Sequence, residues 1–177
     1  MKELTEEIID YLNNDNIKKD GIFHFRARDI SSEYILPEDI IRRHHDKLNW
    51  NDISRHQRLS EEFIIEFEDK VDWTFISSDQ VLSESFIRKY KDKVKWSWIS
   101  IIQKLSEEFI REFEDKIDFY SYLGNKEMQN SSKELQMLIL EKVINVITDD
   151  IICGFYYQYN RFTPYMQEQY NKFSFML

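Results

Sequence analysis

Trp73-Thr74-Phe75-Ile76-Ser77-Ser78-Asp79-Gln80-Val81-Leu82-Ser83-Glu84-Ser85-Phe86-Ile87-Arg88-Lys89-Tyr90-Lys91-Asp92-Lys93-Val94-Lys95 is one unit of a pattern that returns every 23 residues. Trp50, Trp73 and Trp96 stand one period apart, with Ala27 before them and Phe119 after. Ile-Ser follows at Ile30-Ser31, Ile53-Ser54, Ile76-Ser77 and Ile99-Ser100, and the register then gives Gln57, Gln80 and Gln103, with Tyr34 in the first copy. Leu36, Leu59, Leu82 and Leu105 come next, then an apolar pair such as Phe86-Ile87, then an Asp-Lys-aliphatic closer ending at Leu48, Val71, Val94 or Ile117. Self-similarity at a fixed short period is the signature of stacked supersecondary units, each too small to bury its own apolar face.

Within a unit the second half reads clearly as a helix. Ser60, Ser83 and Ser106 are placed to accept a backbone N–H at a helix start, and Glu61, Glu84 and Glu107 sit in the first turn, where the helix dipole favours a carboxylate. Pro37 replaces the serine in the first copy, tolerable where the N–H has no internal acceptor. Phe63, Phe67 and Val71, like Phe86, Tyr90 and Val94, recur four apart on one apolar stripe. For the first half two readings stay open. Either Asn49, Asp72 and Asp118 cap a short helix carrying the tryptophan, with Lys95 breaking the pattern, or a Ser-x-x-Gln capping box starts the helix at Ser54 or Ser77.

The predicted fold is all-α: two-helix repeats of 23 residues, stacked as a small solenoid with helical caps. Residues 1–26 hold an N-terminal cap helix over residues 4–12 and a polar loop; residues 27–119 hold four repeats; residues 120–177 hold a helical cap with an aromatic-rich end. In that last part Ser121 to Ser132 reads as a linker, a helix begins near Ser131-Ser132, and a final helix starts with Thr163 as cap and Pro164 at its first position. Three glycines and two prolines in 177 residues suit a helical chain with short connections.

The formal charge of −9 disfavours unspecific attraction to a phosphate backbone. Cys153 is the only cysteine, so no internal disulfide forms; it reads as buried and inert. Met1 to Asp10 lacks the basic flank and apolar core of a secretory leader, and no apolar run reaches the length of a membrane span. A cytoplasmic location is the expectation.

No phosphate-cradling glycine loop, zinc-ligand spacing or nucleophile elbow occurs, so the chain reads as a non-enzyme with no catalytic, cofactor-binding or metal-binding residue assigned. His44-His45, with His56 and His24, reads as a solvated helix face, although His44 occupies the register of Phe67, Tyr90 and Phe113. The carboxylates Glu61, Glu62, Glu84, Glu107 and Glu108 are explained by their place at helix starts. Trp50, Trp73 and Trp96 read as core.

Residues outside the repeat consensus are the candidate partner-binding set. Trp98 and Phe75 share a register position that holds Asp52 in the second copy, so both are expected to be exposed. Arg88, Lys89 and Lys91 belong to a basic run, residues 88–95, where the other copies carry acids. Tyr156, Tyr157 and Tyr159 open an aromatic-rich end that either caps the array or forms an interface.

The unit Trp73-x-x-Ile76-Ser77-x-x-Gln80-x-Leu82-Ser83-Glu84-x-Phe86-Ile87, closed by Asp92-Lys93-Val94, resembles short repeats in uncharacterised proteins of large DNA viruses and some phages, over residues 27–119. That resemblance implies a viral protein acting on host components, in the host cytoplasm, and assigns no catalytic residue. The expected function is a non-catalytic protein–protein interaction module, its specificity written at positions such as Arg55-His56, Ser78-Asp79 and Ile101-Ile102. One alternative is an acidic nucleic-acid mimic that inhibits a host defence protein, which needs carboxylates at phosphate-like intervals on one face. Another is a nucleic-acid binder using the basic patch at residues 88–95.

Overall fold

The computed structural model describes residues 1–13, 27–146 and 160–174, and shows an all-α protein of short helices in tandem. Two compact units divide it, Met1–Val94 and Lys95–Leu177. The first contains α1 (Glu6–Asn13), α2 (Ala27–Glu33), α3 (Glu38–His44), α4 (Trp50–His56), α5 (Glu61–Glu66), α6 (Trp73–Asp79) and α7 (Glu84–Lys89). The second contains α8 (Trp96–Ile102), α9 (Glu107–Glu112), α10 (Phe119–Tyr122), a 3-10 turn at Met128–Asn130, α11 (Lys133–Val146) and α12 (Pro164–Ser174).

The structure selects the first reading of where each leading helix starts. Asn49 accepts the N–H groups of Asn51 and Asp52, and Asp72 accepts that of Thr74 at 2.8 Å. Lys95 makes no side-chain cap, yet α8 forms with the same seven-residue length as α4 and α6. Packing, rather than the cap, therefore fixes these helices, as expected for pieces too short to be stable alone. The trailing helices α5, α7 and α9 are six residues long, shorter than the stripe suggests, with Ser60, Ser83 and Ser106 capping the N–H of Phe63, Phe86 and Phe109. The stripe is completed by a separate turn: Val71 donates to the Phe67 carbonyl at 3.1 Å, and Val94 to that of Tyr90 at 3.1 Å.

In the N-terminal unit α2, α4 and α6 stack in succession. Their inward positions Ile30, Ile53 and Ile76 are fully buried, as are Ile41, Phe63 and Ile64 from the trailing helices. The helix expected over residues 4–12 forms as α1, Glu6–Asn13, with Ile8 and Leu12 packed into the same core. Lys2 pairs with this end through the backbone, its N–H donating to Glu33 O and its carbonyl accepting from Ile35 N.

The tryptophans are not core residues. Trp50, Trp73 and Trp96 are half-buried, each closing an aromatic triad within its own copy. Trp50 lies 4.9 Å from Phe67 and 6.3 Å from Phe63, Trp73 lies 5.1 Å from Tyr90, and Trp96 lies 5.2 Å from Phe113. Their rim position has a polar cause: the indole N–H of Trp50 donates to His45 O at 2.9 Å and that of Trp73 to Glu68 O at 3.1 Å. Lysine ammonium groups cover the outer ring faces, Lys70 over Trp50 and Lys93 over Trp73.

Three polar clasps join successive copies. The first is the glutamine, which is buried and does not form a capping box. Gln80 stands at the C-cap of α6 and reaches back, its Nε2 donating to Ser54 O at 2.9 Å and Gln57 O at 2.7 Å while its Oε1 accepts from Leu59 N at 3.1 Å. Gln57 repeats this on Ser31 O, Tyr34 O and Leu36 N. The second is the buried serine: Ser54 Oγ donates to Trp50 O and accepts from Asp72 N at 2.9 Å. The third is the first-turn glutamate, Glu38 accepting Ser60 N and Glu61 accepting Ser83 N, each at 2.6 Å.

The same clasps organise the C-terminal unit, where α8 packs on α10, α10 on α11 and α11 on α12. Ser100 accepts Asp118 N, and Glu107 accepts Ser132 N at 2.6 Å and its hydroxyl at 2.7 Å. Residues 121–132 are thus no linker. Tyr122, Leu123, Asn125 and Met128 are buried, and Asn125 takes the glutamine role, its Nδ2 donating to Ser100 O and Gln103 O at 2.8 Å each. Ser132 caps α11 through Leu135 N, and Thr163 caps α12 through Met166 N, with Pro164 first in the helix as expected.

Gln80→Leu leaves two carbonyls and one N–H buried without a partner, and is expected to cost about 3 kcal/mol or more in urea unfolding, since each such group costs about 1–3 kcal/mol. Its bonds to Ser132 hold the Glu107 carboxyl below the usual carboxylate range. The folded state then binds fewer protons than the unfolded one, so this contribution is present above pH 4.5 and is lost as pH falls through the lower folded value. Glu107→Gln should flatten that acid limb of the stability–pH curve, measured as the urea midpoint from pH 6 downward.

Candidate interaction surface

The clasps and the core use the same positions in each copy, and those facing outward on the leading helices are left to vary. In the N-terminal unit these are Arg55 and His56 on α4 and Ser78 and Asp79 on α6, with the varying Asp52 and Phe75 beside them only partly exposed. In the C-terminal unit they are Trp98, Ile101 and Ile102 on α8, with Tyr120 exposed on α10.

Trp98 is 42% exposed and Ile102 52% exposed, four residues apart on one stripe of α8. Phe75 does not match its expected exposure. It is half-buried, because the Arg55 guanidinium from the preceding copy lies 5.4 Å from its ring centroid. Arg55 and Phe75 thus tie together the outer faces of α4 and α6. On the C-terminal unit the analogous tie is apolar: the Ile101 side chain lies across Gly124, where an added Cβ would meet its Cδ1 at 3.2 Å.

The basic run of the third copy is largely engaged. Arg88 lies 3.6 Å from Glu84, Lys89 sits over the Tyr90 ring, and Lys93 lies 3.6 Å from Glu68. Lys91 is exposed. Glu84 of the same copy answers Arg88 and Glu68 of the second copy answers Lys93, so carboxylates interrupt the basic run. Tyr156, Tyr157 and Tyr159 lie outside the described residues, as do Cys153 and His24.

The histidines do not share one solvated face. His44 is buried at 7% exposure in the register of an aromatic packing residue, while His45 contacts Asp46 and Lys70. Lys70 holds the Asp46 carboxyl below its usual range. Among the described residues no group of three His, Cys, Asp or Glu side chains is placed to hold a metal ion, and no helix is long and apolar enough to cross a membrane. Burial pushes the Tyr122 hydroxyl up to about 12, which makes it a poor proton donor near neutral pH.

Compared with protein-family models, with curated proteins and with solved structures, the chain matches none.

Sequence reasoning found Trp98 through its register, because a position that accepts Asp52 is not a core position. It missed the engagement of Phe75, since the covering arginine lies one copy away. Trp98→Ser is therefore expected to shift stability by no more than about 0.5 kcal/mol, as for exposed sites away from caps and clasps. Ile99→Ala, one residue on and fully buried, should cost about 2–5 kcal/mol in the same urea titration.

Proposed function

We propose that the chain is a non-catalytic protein–protein interaction module, with the outer faces of the leading helices as its recognition surface. One observation carries this reading. Positions used by core and clasps keep their chemistry from copy to copy, whereas other positions on the leading helices change it, from Asp52 to Phe75 to Trp98 in one register and from His56 to Asp79 to Ile102 in another. A fold that holds its geometry while changing its exposed chemistry is suited to presenting different side chains to a partner. Exposed Trp98 and Tyr120 suit that use, because aromatic side chains give large contact area with few rotatable bonds.

Carboxylates beside Arg88 and Lys93 support a protein partner over a nucleic acid. The repeat resemblance supports a viral origin, with a host cytoplasmic protein as the partner.

Affinity capture on the full chain, from the cells in which it acts, tests the proposal. The expected result is a discrete set of proteins retained by the wild type and lost from W98S/I102S/Y120S. Retention that vanishes on nuclease treatment, or that is the same for both baits, would overturn it.

A further inference from the structure

Lys2 forms a parallel bridge with Tyr34. Its N–H donates to Glu33 O at 2.6 Å, its carbonyl accepts from Ile35 N at 2.9 Å, and its ammonium pairs with the Glu33 carboxylate. An extended residue points its own N–H and C=O to one side and presents its neighbours' groups on the other. Tyr34 gives its carbonyl to the Gln57 clasp, so Glu33 O and Ile35 N face away from the clasp, where Lys2 meets them.

The third copy repeats this arrangement with no strand upon it. Gln80 is extended, at φ −98° and ψ 150°, and Asp79 O and Val81 N stand in the register of Glu33 O and Ile35 N. Neither group has a hydrogen-bond partner among the described residues. The side chains match as well: an exposed acid and an exposed β-branched residue flank the bridge position, Glu33 and Ile35 in the first copy, Asp79 and Val81 in the third. Val81 is 93% exposed, although Arg58 and Lys104 show that its register accepts a charge. Asp79 accepts from the Ser78 hydroxyl and has no ion-pair partner among the described residues. The second copy carries His56 and Arg58 at these positions and offers a cation no carboxylate.

We infer that Asp79–Val81 docks an extended segment of another protein, which adds one parallel bridge opposite Gln80 and sets a lysine or arginine on Asp79. The inference rests on the interaction-module reading and names the partner's chemistry. Main-chain groups supply the attachment, as in other additions of a strand to an open edge, and the carboxylate selects the cation. A second copy of this chain is a poor occupant, because its Lys2 is already held by its own first copy with the advantage of an intramolecular contact. A nucleic acid would bring phosphates against Asp79. Gln80 lacks the ring that lies under the Lys2 ammonium at Tyr34, so the third site relies on the bridge and the ion pair alone.

Titration of the isotope-labelled full chain with the capped peptide acetyl-Met-Lys-Glu-Leu-Thr-amide, the sequence of residues 1–5, reads the site through amide chemical shifts. The expected dissociation constant is on the order of 1 mM. The largest shift is expected at the Val81 N–H, with little change at Ile35, whose N–H is occupied. Asp79→Lys should weaken the peptide about fivefold, and a peptide with glutamate in place of its lysine should prefer that variant to the wild type. Val81→Pro removes the donor and suits the extended residue before it, so binding should be lost while circular dichroism shows the helices retained. No saturable shift at Val81, or equal binding of the lysine and glutamate peptides, would overturn the inference. So would a Val81 shift that grows with protein concentration in the absence of peptide, which assigns the site to a second copy. The affinity capture with W98S/I102S/Y120S decides the broader reading separately from all of these results.

Discussion

A neutral carboxamide inserted between copies is the interaction on which the rest of the structure depends. The leading helices α4, α6 and α8 each end on an extended glutamine, and the end of α4 leaves backbone carbonyls and an N–H facing the next copy. A glutamine side chain carries two donors and one acceptor, the complement needed by Ser54 O, Gln57 O and Leu59 N. A glutamate there would keep the acceptor, lose both donors and bury a charge; a methionine of similar length would satisfy nothing. Because the clasp reads backbone, it makes no demand on the side chains on the far side of each helix. The freedom of the outer face follows from the strictness of the inner one.

Much of this was legible in the sequence, and the gaps have physical causes. The serine caps at Ser60, Ser83 and Ser106, the helix near the amino terminus and the Thr163-Pro164 helix start are local signals, since each couples residues a few positions apart, and the period shows by plain repetition. The glutamine clasp is invisible to local reading because its partners are main-chain atoms more than twenty residues back. Asn125 hid for a second reason: it stands one residue short of the register, and its side chain is one methylene shorter, so the period breaks while the hydrogen bonds persist. The tryptophans misled because large aromatic residues are read as core, whereas an indole N–H with a backbone acceptor is content at a rim.

Charge is distributed on the same plan. Arg42 pairs with Glu66 at 2.6 Å, Lys70 with Asp46 at 3.0 Å and Lys93 with Glu68 at 3.6 Å, each a contact between adjacent copies. Exposed pairs of this kind add little stability individually. They do keep like charges of neighbouring copies apart, and so oppose slippage of one repeat against the next. The candidate surface stands out against this background because α8 and α10 have no ionic partners to offer. Trp98 was recoverable from the register alone; its company with Tyr120 became visible once α8 and α10 were seen to pack together.

The carboxamide clasps of Gln57, Gln80 and Asn125 also share a direction. Gln57, Gln80 and Asn125 all reach toward the amino terminus, onto carbonyls that belong to the copy already made. During synthesis the acceptors therefore leave the ribosome before the donor that fastens them, and each emerging copy can lock onto a finished template rather than wait for one. Within each unit, the clasp is therefore completed by the later copy, in the order of translation.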